Sequence, residues 1–365
     1  MSETDPSYAS TLRSEFGLHR QFLFGLCYRM TGSAADAEDL VQDTFERALR
    51  SPPADSARSL RPWLARVAVN LSCDQLRRRK AAPYRGNWLP EPVPTASLIE
   101  PGQQQAHAGA RYELLESATY AFLLALEVLS PSQRAVLLLR DVFDYSVRET
   151  EVALELSEAN VKTTLHRARQ AMASYDSERC LPTPALRKKT ERALQRFMLH
   201  LATDNVRGIE ALLREDVVAL NDAGDKFVAA RKPVVGRDKV AFFHRKLTRF
   251  AEIMDPHLRF AVCELNGLPA LLFEYEPQRT DIGPRDVMRV ELDARGKIKQ
   301  IHTILATPKL ARVPFEWLRE LPSLLRLTAR GVRGVLTRVQ SKSQRISPHL
   351  QVHAGSRVRR KPSGT

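Results

Sequence analysis

The feature that most constrains this chain is a pair of helix starts, Ser146 and Ser157, set close together inside the run Leu129 to Met172. Ser146 followed by Glu149 is a capping box: the hydroxyl accepts from the Glu149 amide while the carboxylate reaches back to the Ser146 amide. A helix therefore starts at Val147. Ser157 caps a second helix, on which Val161, Leu165, Ala168 and Met172 form one apolar stripe that faces inward. The opposite face carries Asn160, Lys162, Thr163, His166, Arg167 and Gln170, groups that hydrogen-bond base edges or pair with phosphates. Two such helices either enter a major groove as a helix-turn-helix or present a solvated basic face to water, and the pattern alone leaves both readings open.

At 365 residues the chain has room for two or three domains, each able to bury a core. Hydrophobic content of 43% with 27% charged residues is that of a soluble globular protein. No basic stretch followed by a long apolar core marks the first thirty residues, and Tyr120 to Leu129, interrupted by Glu127, is too short to span a bilayer. The expectation is a cytoplasmic protein. Cys27, Cys73, Cys180 and Cys263 make no C-x-x-C pair, which argues against a disulfide framework or a zinc knuckle, so neither metal nor cofactor is expected. The net charge of +14 is concentrated: residues 313–365 hold eleven Lys or Arg against two Glu, and the body is only mildly basic.

Along the chain, the first dozen residues read as loose, and Phe16 to Met30 as a helix burying Phe22, Leu23, Leu26 and Cys27. Gly32 ends it and Ser33 caps the next, whose acids Asp36, Glu38, Asp39, Asp43 and Glu46 either favour the helix dipole or form a docking face for a basic partner. Leu60 to Lys80 is a third helix with Trp63, Leu64, Val67, Ala68 and Leu71 inward and Arg66, Asn70, Asp74 and Arg77 on the polar side. Its terminal cations Arg77 to Lys80 suit the dipole or bind phosphates. Residues 81–111 are rich in proline, yet they carry Tyr84, Trp88 and Leu89, which predicts a docked linker and not a free tether. Tyr112 to Leu129 reads as an apolar helix leading into the helix pair. Beyond Leu181 the pattern changes to helices over 188–202, 209–213 and 238–250, strands over 217–220 and 226–230, a hairpin turning at Asn266-Gly267, and closing strands over 286–292 and 297–305. Helices packed on a curved antiparallel sheet follow. From Pro314 to about Val339 the spacing predicts a basic amphipathic helix, with a disordered end beyond it.

Ala159-Asn160-Val161-Lys162-Thr163-Thr164-Leu165-His166-Arg167-Ala168-Arg169, following Leu129-Ser130-Pro131-Ser132-Gln133-Arg134, resembles the promoter −35 domain of extracytoplasmic-function sigma factors. Asp36-Ala37-Glu38-Asp39-Leu40-Val41-Gln42-Asp43-Thr44-Phe45, with Arg61-Pro62-Trp63-Leu64, Asn70 and Asp74, resembles the other core domain of the same family. Trp88-Leu89-Pro90-Glu91-Pro92 is similar to the linker of a subgroup in which a SnoaL-like domain follows the sigma core. Three departures stand out: the turn before Ser157 is two residues short and lacks glycine, Asp222-Ala223-Gly224-Asp225-Lys226 replaces a D-G-G-G-K signature, and Thr307-Pro308-Lys309-Leu310 replaces N-P-D-K-L.

The resemblance implies a multidomain fold: two all-α domains, the second a helix-turn-helix, then an α+β SnoaL-like cone and a basic tail. The implied boundaries are 1–82, a linker over 83–111, 112–180, 186–312 and 313–365. Core RNA polymerase and promoter DNA are the implied partners. By resemblance, Glu38, Asp39, Gln42 and Asp43 dock on polymerase, and Arg66, Asn70, Asp74, Arg77 and Arg78 hold the melted −10 element. Asn160, Lys162, Thr163, His166 and Arg167 then read the −35 element. Trp88, Pro90, Glu91, Asp222, Gly224, Lys226, Pro308 and Lys309 make the contact through which the extension tunes promoter binding. No catalysis is expected; were the SnoaL-like pocket an enzyme, Asp222 and His302 would be its acid or base. A small-molecule ligand of that domain stays open, as does an alternative reading as a polymerase-independent DNA-binding regulator with a ligand-sensing domain.

Overall fold

The computed structural model describes residues 6–50, 60–81, 84–98, 113–254, 258–277 and 279–315. Three helices come first: α1 (Pro6–Thr31), α2 (Ala34–Arg50) and α3 (Leu60–Ala81). Helix α1 begins at Pro6, inside the stretch expected to be loose. It stops where Gly32 takes φ of 68°, a conformation that costs glycine little, and Ser33 Oγ then accepts from the Asp36 amide at 3.1 Å to start α2. One face of α2 buries Ala37, Leu40, Val41, Thr44, Phe45 and Ala48 against α1 and α3.

Residues 84–94 carry no helix, Thr95–Leu98 form a short 3-10 helix, and the second helical unit follows: α4 (Tyr120–Ala125), α5 (Pro131–Leu137), α6 (Val147–Leu154) and α7 (Glu158–Asp176). The helix expected from Tyr112 to Leu129 is broken at 117–119. Ser117 and Thr119 donate their hydroxyls to the Leu114 and Glu116 carbonyls at 2.6 and 2.8 Å, local bonds that compete with the helical ladder. The capping box at Ser146 and the Ser157 cap form as the sequence requires, and Val161, Leu165, Ala168 and Met172 are buried. The two helical units share one hydrophobic core that runs from Phe22 and Leu64 to Val136 and Leu138.

The last unit has its own core. It comprises α8 (Pro184–Ala202), α9 (Val206–Leu212), β1 (Leu213–Asp222), β2 (Val234–Val235), α10 (Arg237–Met254), β3 (Arg259–Leu265), β4 (Leu268–Glu274), β5 (Arg285–Leu292) and β6 (Ile298–Ile304). The sheet order is β2-β1-β6-β5-β4-β3. Asn266 and Gly267 both have positive φ, 50° and 82°, as a two-residue type I′ hairpin between β3 and β4 requires.

Two expectations need correction. The sheet is not wholly antiparallel, because β1 pairs in parallel with β6, its partner from the far end of the unit. The stretch 226–230 is not a strand; after a turn at Gly224 its Val228 amide donates to Asp281 in the loop between β4 and β5, and the two-residue β2 takes its place beside β1. Helices packed on a six-stranded sheet are the arrangement that the resemblance implied. The basic helix expected from Pro314, past Phe315, and the end beyond it lie outside the described residues. Among the described residues, no helix is long and apolar enough to cross a membrane.

Candidate DNA-binding surfaces and the junction between them

On α7, Asn160, Lys162, Thr163, His166 and Arg167 are all exposed on the face opposite the buried stripe. Among the described residues the restraint on this face is local: Lys162 pairs with Glu158 one turn earlier at 2.6 Å, which favours the charged form of each. The short turn between α6 and α7 closes because Glu155, standing where glycine would be easy, adopts φ of 53°. The amides of Glu155 and Leu156 both donate to Glu151.

The polar side of α3 is differently placed. The Arg66 guanidinium donates to Glu155 at 2.7 Å, so α3 is tied to the turn that leads into α7. Asn70, Asp74 and Arg77 border a concavity closed on its far side by Ser132, Leu154 and Leu156. Arg77 pairs with Asp74 at 2.7 Å, and Arg78 is exposed. The acidic face of α2 divides in the same way. Asp39, Gln42 and Asp43 are exposed, while Glu38 is held by Arg20 at 2.6 Å and by Arg312 from the chain after β6.

The junction of the three units is built on the linker. Glu91 accepts from Ser33 Oγ at 2.8 Å and from the Ala34 and Ala35 amides at 2.7 and 3.0 Å, so a linker carboxylate caps α2. Burial pushes its acidity toward the neutral form, against the pull of those donors. Trp88 lies under the Arg79 guanidinium at 4.2 Å and the Lys309 ammonium at 4.8 Å. A Cβ on Gly32 would sit 2.5 Å from the Trp88 ring, so this glycine is required by space as well as by φ.

Asp222, at the end of β1 and 1% exposed, is the centre of the lock. Its carboxylate accepts from the Tyr84 hydroxyl, from the Leu89 amide at 2.9 Å, from Lys309 Nζ at 2.7 Å and from the Gly224 amide at 3.2 Å. Lys309 also donates to the Leu89 carbonyl at 2.7 Å, and its burial works to lower its pKa while Asp222 raises it. Burial first and Asp222 second push the Tyr84 phenol up, so the hydroxyl keeps its proton and donates.

Of the residues expected to make this contact, Trp88, Pro90, Glu91, Asp222, Gly224 and Lys309 are brought together. Lys226 is not: it is exposed and packs over its neighbour Phe227. Pro308 is exposed too, and serves to start the turn that aims Lys309 inward.

Several junction residues were not legible as such. Asn266 reads as a turn residue, yet its side chain donates to Tyr28 Oη at 2.6 Å and the Ala118 carbonyl at 2.9 Å and accepts from the Val93 amide at 3.0 Å, touching all three units. Tyr28 and Arg29 sit in an apolar helical run. Arg29 reaches Ser117 at 2.7 Å, and Arg134, 3% exposed, donates to the Met30 and Leu126 carbonyls at 2.6 and 2.7 Å. A cation inside an apolar stripe is the one signal that could have marked them.

The last unit encloses a cavity of about 480 Å³ between its sheet and α10. Asn221 and Thr303 line it, whereas Asp222 and His302, the candidate acid and base, do not. The His302 ring is fully buried beside Tyr120, its centroid 5.8 Å away, and burial pushes its pKa down to about 3.

Comparison with known proteins agrees with this architecture. Residues 16–82 match the family model Sigma-70 region 2, and residues 120–172 match Sigma-70, region 4. The ECF RNA polymerase sigma factor SigJ of Mycobacterium tuberculosis is 34% identical over 233 residues, 63% of this chain and 71% of that protein. The ECF RNA polymerase sigma factor SigG of the same organism is 38% identical over 186 residues, spanning 45% of this chain and 49% of the relative. The crystal structure of M. tuberculosis SigJ superposes with a TM-score of 0.61 at 26% identity, covering 83% of this chain and 99% of that one. With both sigma regions in order, a fused third unit and a relative matched over most of its length, the chain belongs to the extracytoplasmic-function sigma factors, the subunits that direct RNA polymerase to promoters.

Proposed function

We propose that this sigma factor rests in a closed state, in which its own SnoaL-like unit and linker hold the −10 surface and part of the polymerase-docking face out of use. In this reading α7 reads the −35 element through Asn160, Lys162, Thr163, His166 and Arg167. Helix α3 holds the melted −10 strand through Arg66, Asn70, Asp74, Arg77 and Arg78, and α2 docks on polymerase through Glu38, Asp39, Gln42 and Asp43.

One observation carries the proposal: Arg66 and Glu155 are in contact at 2.7 Å. Elements named −35 and −10 lie about 25 base pairs apart, roughly 80 Å along B-form DNA at ~3.4 Å per pair. Readers that touch one another cannot occupy both, so the units must separate before initiation. Trp88, Pro90, Glu91, Asp222, Gly224 and Lys309 form the contact that opposes separation. Asp222 and His302, the candidate acid and base, lie outside the cavity lining, so catalysis through them is not part of this reading.

In vitro transcription with core polymerase tests this. Asp222→Ala and Lys309→Ala, which loosen the lock without touching α2, α3 or α7, are expected to raise promoter-specific transcript several-fold over the full chain. Equal or lower output from both would sink the closed-state reading.

A further inference from the structure

The cavity in the last unit is lined chiefly by apolar side chains such as Met198, Leu201, Phe243 and Phe273, a lining that suits an apolar guest. Polar groups interrupt it, among them Asp286, Asn221 and His244. Asp286 is 6% exposed; its Oδ2 accepts from the Tyr275 hydroxyl at 2.8 Å, and its Oδ1 is buried with no hydrogen-bond partner among the described residues. Asn221 is 5% exposed and its Nδ2 is likewise without a partner among them. His244 Nδ1 lies 2.9 Å from the Val240 carbonyl, which can only accept, so the proton is on Nδ1 and Nε2 keeps its lone pair. Burial holds this imidazole neutral, its pKa pushed down to about 4. Buried polar atoms left unbonded are costly, and a bound molecule with matching groups removes that cost.

We propose that this cavity binds a small, mostly apolar, uncharged molecule that carries a hydroxyl or amine donor for Asp286 and His244 and a carbonyl or ether oxygen for Asn221, and that its occupancy tightens the junction lock. The volume falls within the range of small-molecule sites, about 300–1,000 Å³. Burial pushes the Asp286 carboxyl up to about 7; once ionised it joins His244 Nε2 as an acceptor, against the one Asn221 donor among these three groups, and favours a guest that donates more than it accepts. Arg279 on the lining is already paired with Asp281, so the unpaired Asp286 oxygen disfavours a carboxylate.

The coupling follows from strand geometry. Side chains alternate across a sheet, so Asn221 lines the cavity while the adjacent Asp222 projects to the other side and holds Tyr84, Leu89 and Lys309. The same alternation puts Thr303 on the cavity side, with His302 against Tyr120 on the other. The Leu305 amide, whose residue also lines the cavity, donates to the Asp222 carbonyl at 2.7 Å. A guest that bonds Asn221 and Asp286 together fixes the end of β1, and with it the carboxylate on the reverse face. This step rests on the lock being regulatory, as proposed above.

The test uses the full-length protein and two probes of one shape: neutral para-hydroxybenzophenone, with one phenol donor and one ketone acceptor, and anionic para-carboxybenzophenone. Calorimetry is expected to show saturable binding of the phenol at least tenfold tighter than the carboxylate. Asp286→Leu is expected to weaken phenol binding at least tenfold; Asn221→Leu, a second variant in case the first fails to fold, does the same. Amide hydrogen exchange over residues 87–91 slows at least twofold with the phenol bound. Absence of binding, equal binding of the two probes, or unchanged affinity in folded variants overturns the assigned site. Binding with unaltered exchange in 87–91 overturns the coupling. Failure here, with Asp222→Ala still raising transcription, separates this inference from the closed-state proposal.

Discussion

The two helices proposed to read DNA, α3 and α7, differ in what surrounds them. Among the described residues, the Lys162 ion pair on the outward face of α7 is with its own previous turn. The polar side of α3 faces the second helical unit and is tied to it through Arg66 and Glu155. Under the closed-state proposal, the difference makes closure selective: it would leave duplex reading by α7 available and withhold the α3 surface proposed for a melted strand. On the α2 face, Arg312 pairs with Glu38.

The largest expected effect comes from breaking what keeps α3 covered. Asp222→Ala leaves the Lys309 ammonium buried without its carboxylate and removes the acceptor of Tyr84 and Leu89, a loss of about 4 kcal/mol in the stability of the docked linker. Amide exchange across residues 84–93 is the measurement, and unaltered protection there would show that the lock does not depend on this carboxylate. Gly32→Ala is next, at about 3 kcal/mol by urea unfolding, because it combines a left-handed backbone with a Cβ 2.5 Å from the Trp88 ring. A cost under about 1 kcal/mol would mean that Trp88 swings aside freely.

Arg167→Ala sharpens the other half of the contrast. The free protein should bind −35 duplex about tenfold more weakly, and the slope of log affinity against log salt should fall by about one if the lost contact is to phosphate. Arg78→Ala should leave the binding of that duplex unchanged; a loss equal to that of Arg167→Ala would show that both helices reach duplex DNA in the closed chain. Smallest is Glu155→Ala, whose exposed pair with Arg66 contributes under about 1 kcal/mol to stability. Its signature is instead a gain in binding of a single-stranded −10 oligonucleotide, read by fluorescence anisotropy, and no gain would place the barrier elsewhere in the junction.

Local chemistry was legible wherever one residue and its near neighbours decide the outcome. The capping box at Ser146, the Ser157 cap, the stop at Gly32 and the hairpin at Asn266-Gly267 are short-range hydrogen bonds or backbone preferences, and each stands in the fold where its residues place it. The misreadings share one cause. Ser117 and Thr119 interrupt a helix through hydroxyls that could as well have faced solvent, and residues 226–230 leave the sheet for a loop fifty residues away, a partner no window of sequence contains.

What the sequence by itself determined was the set of helices, their apolar and polar faces, the docked character of the linker and the family. All of these follow from periodicity, caps and motifs held within a few turns of chain. Only the tertiary structure decided that Asp222 receives Tyr84, Leu89 and Lys309, that Asn266 joins three units, and that Arg66 meets Glu155. Those contacts span eighty to more than two hundred residues. Whether a buried polar group finds its partner at such a distance depends on how packed units close on one another, which no local pattern encodes.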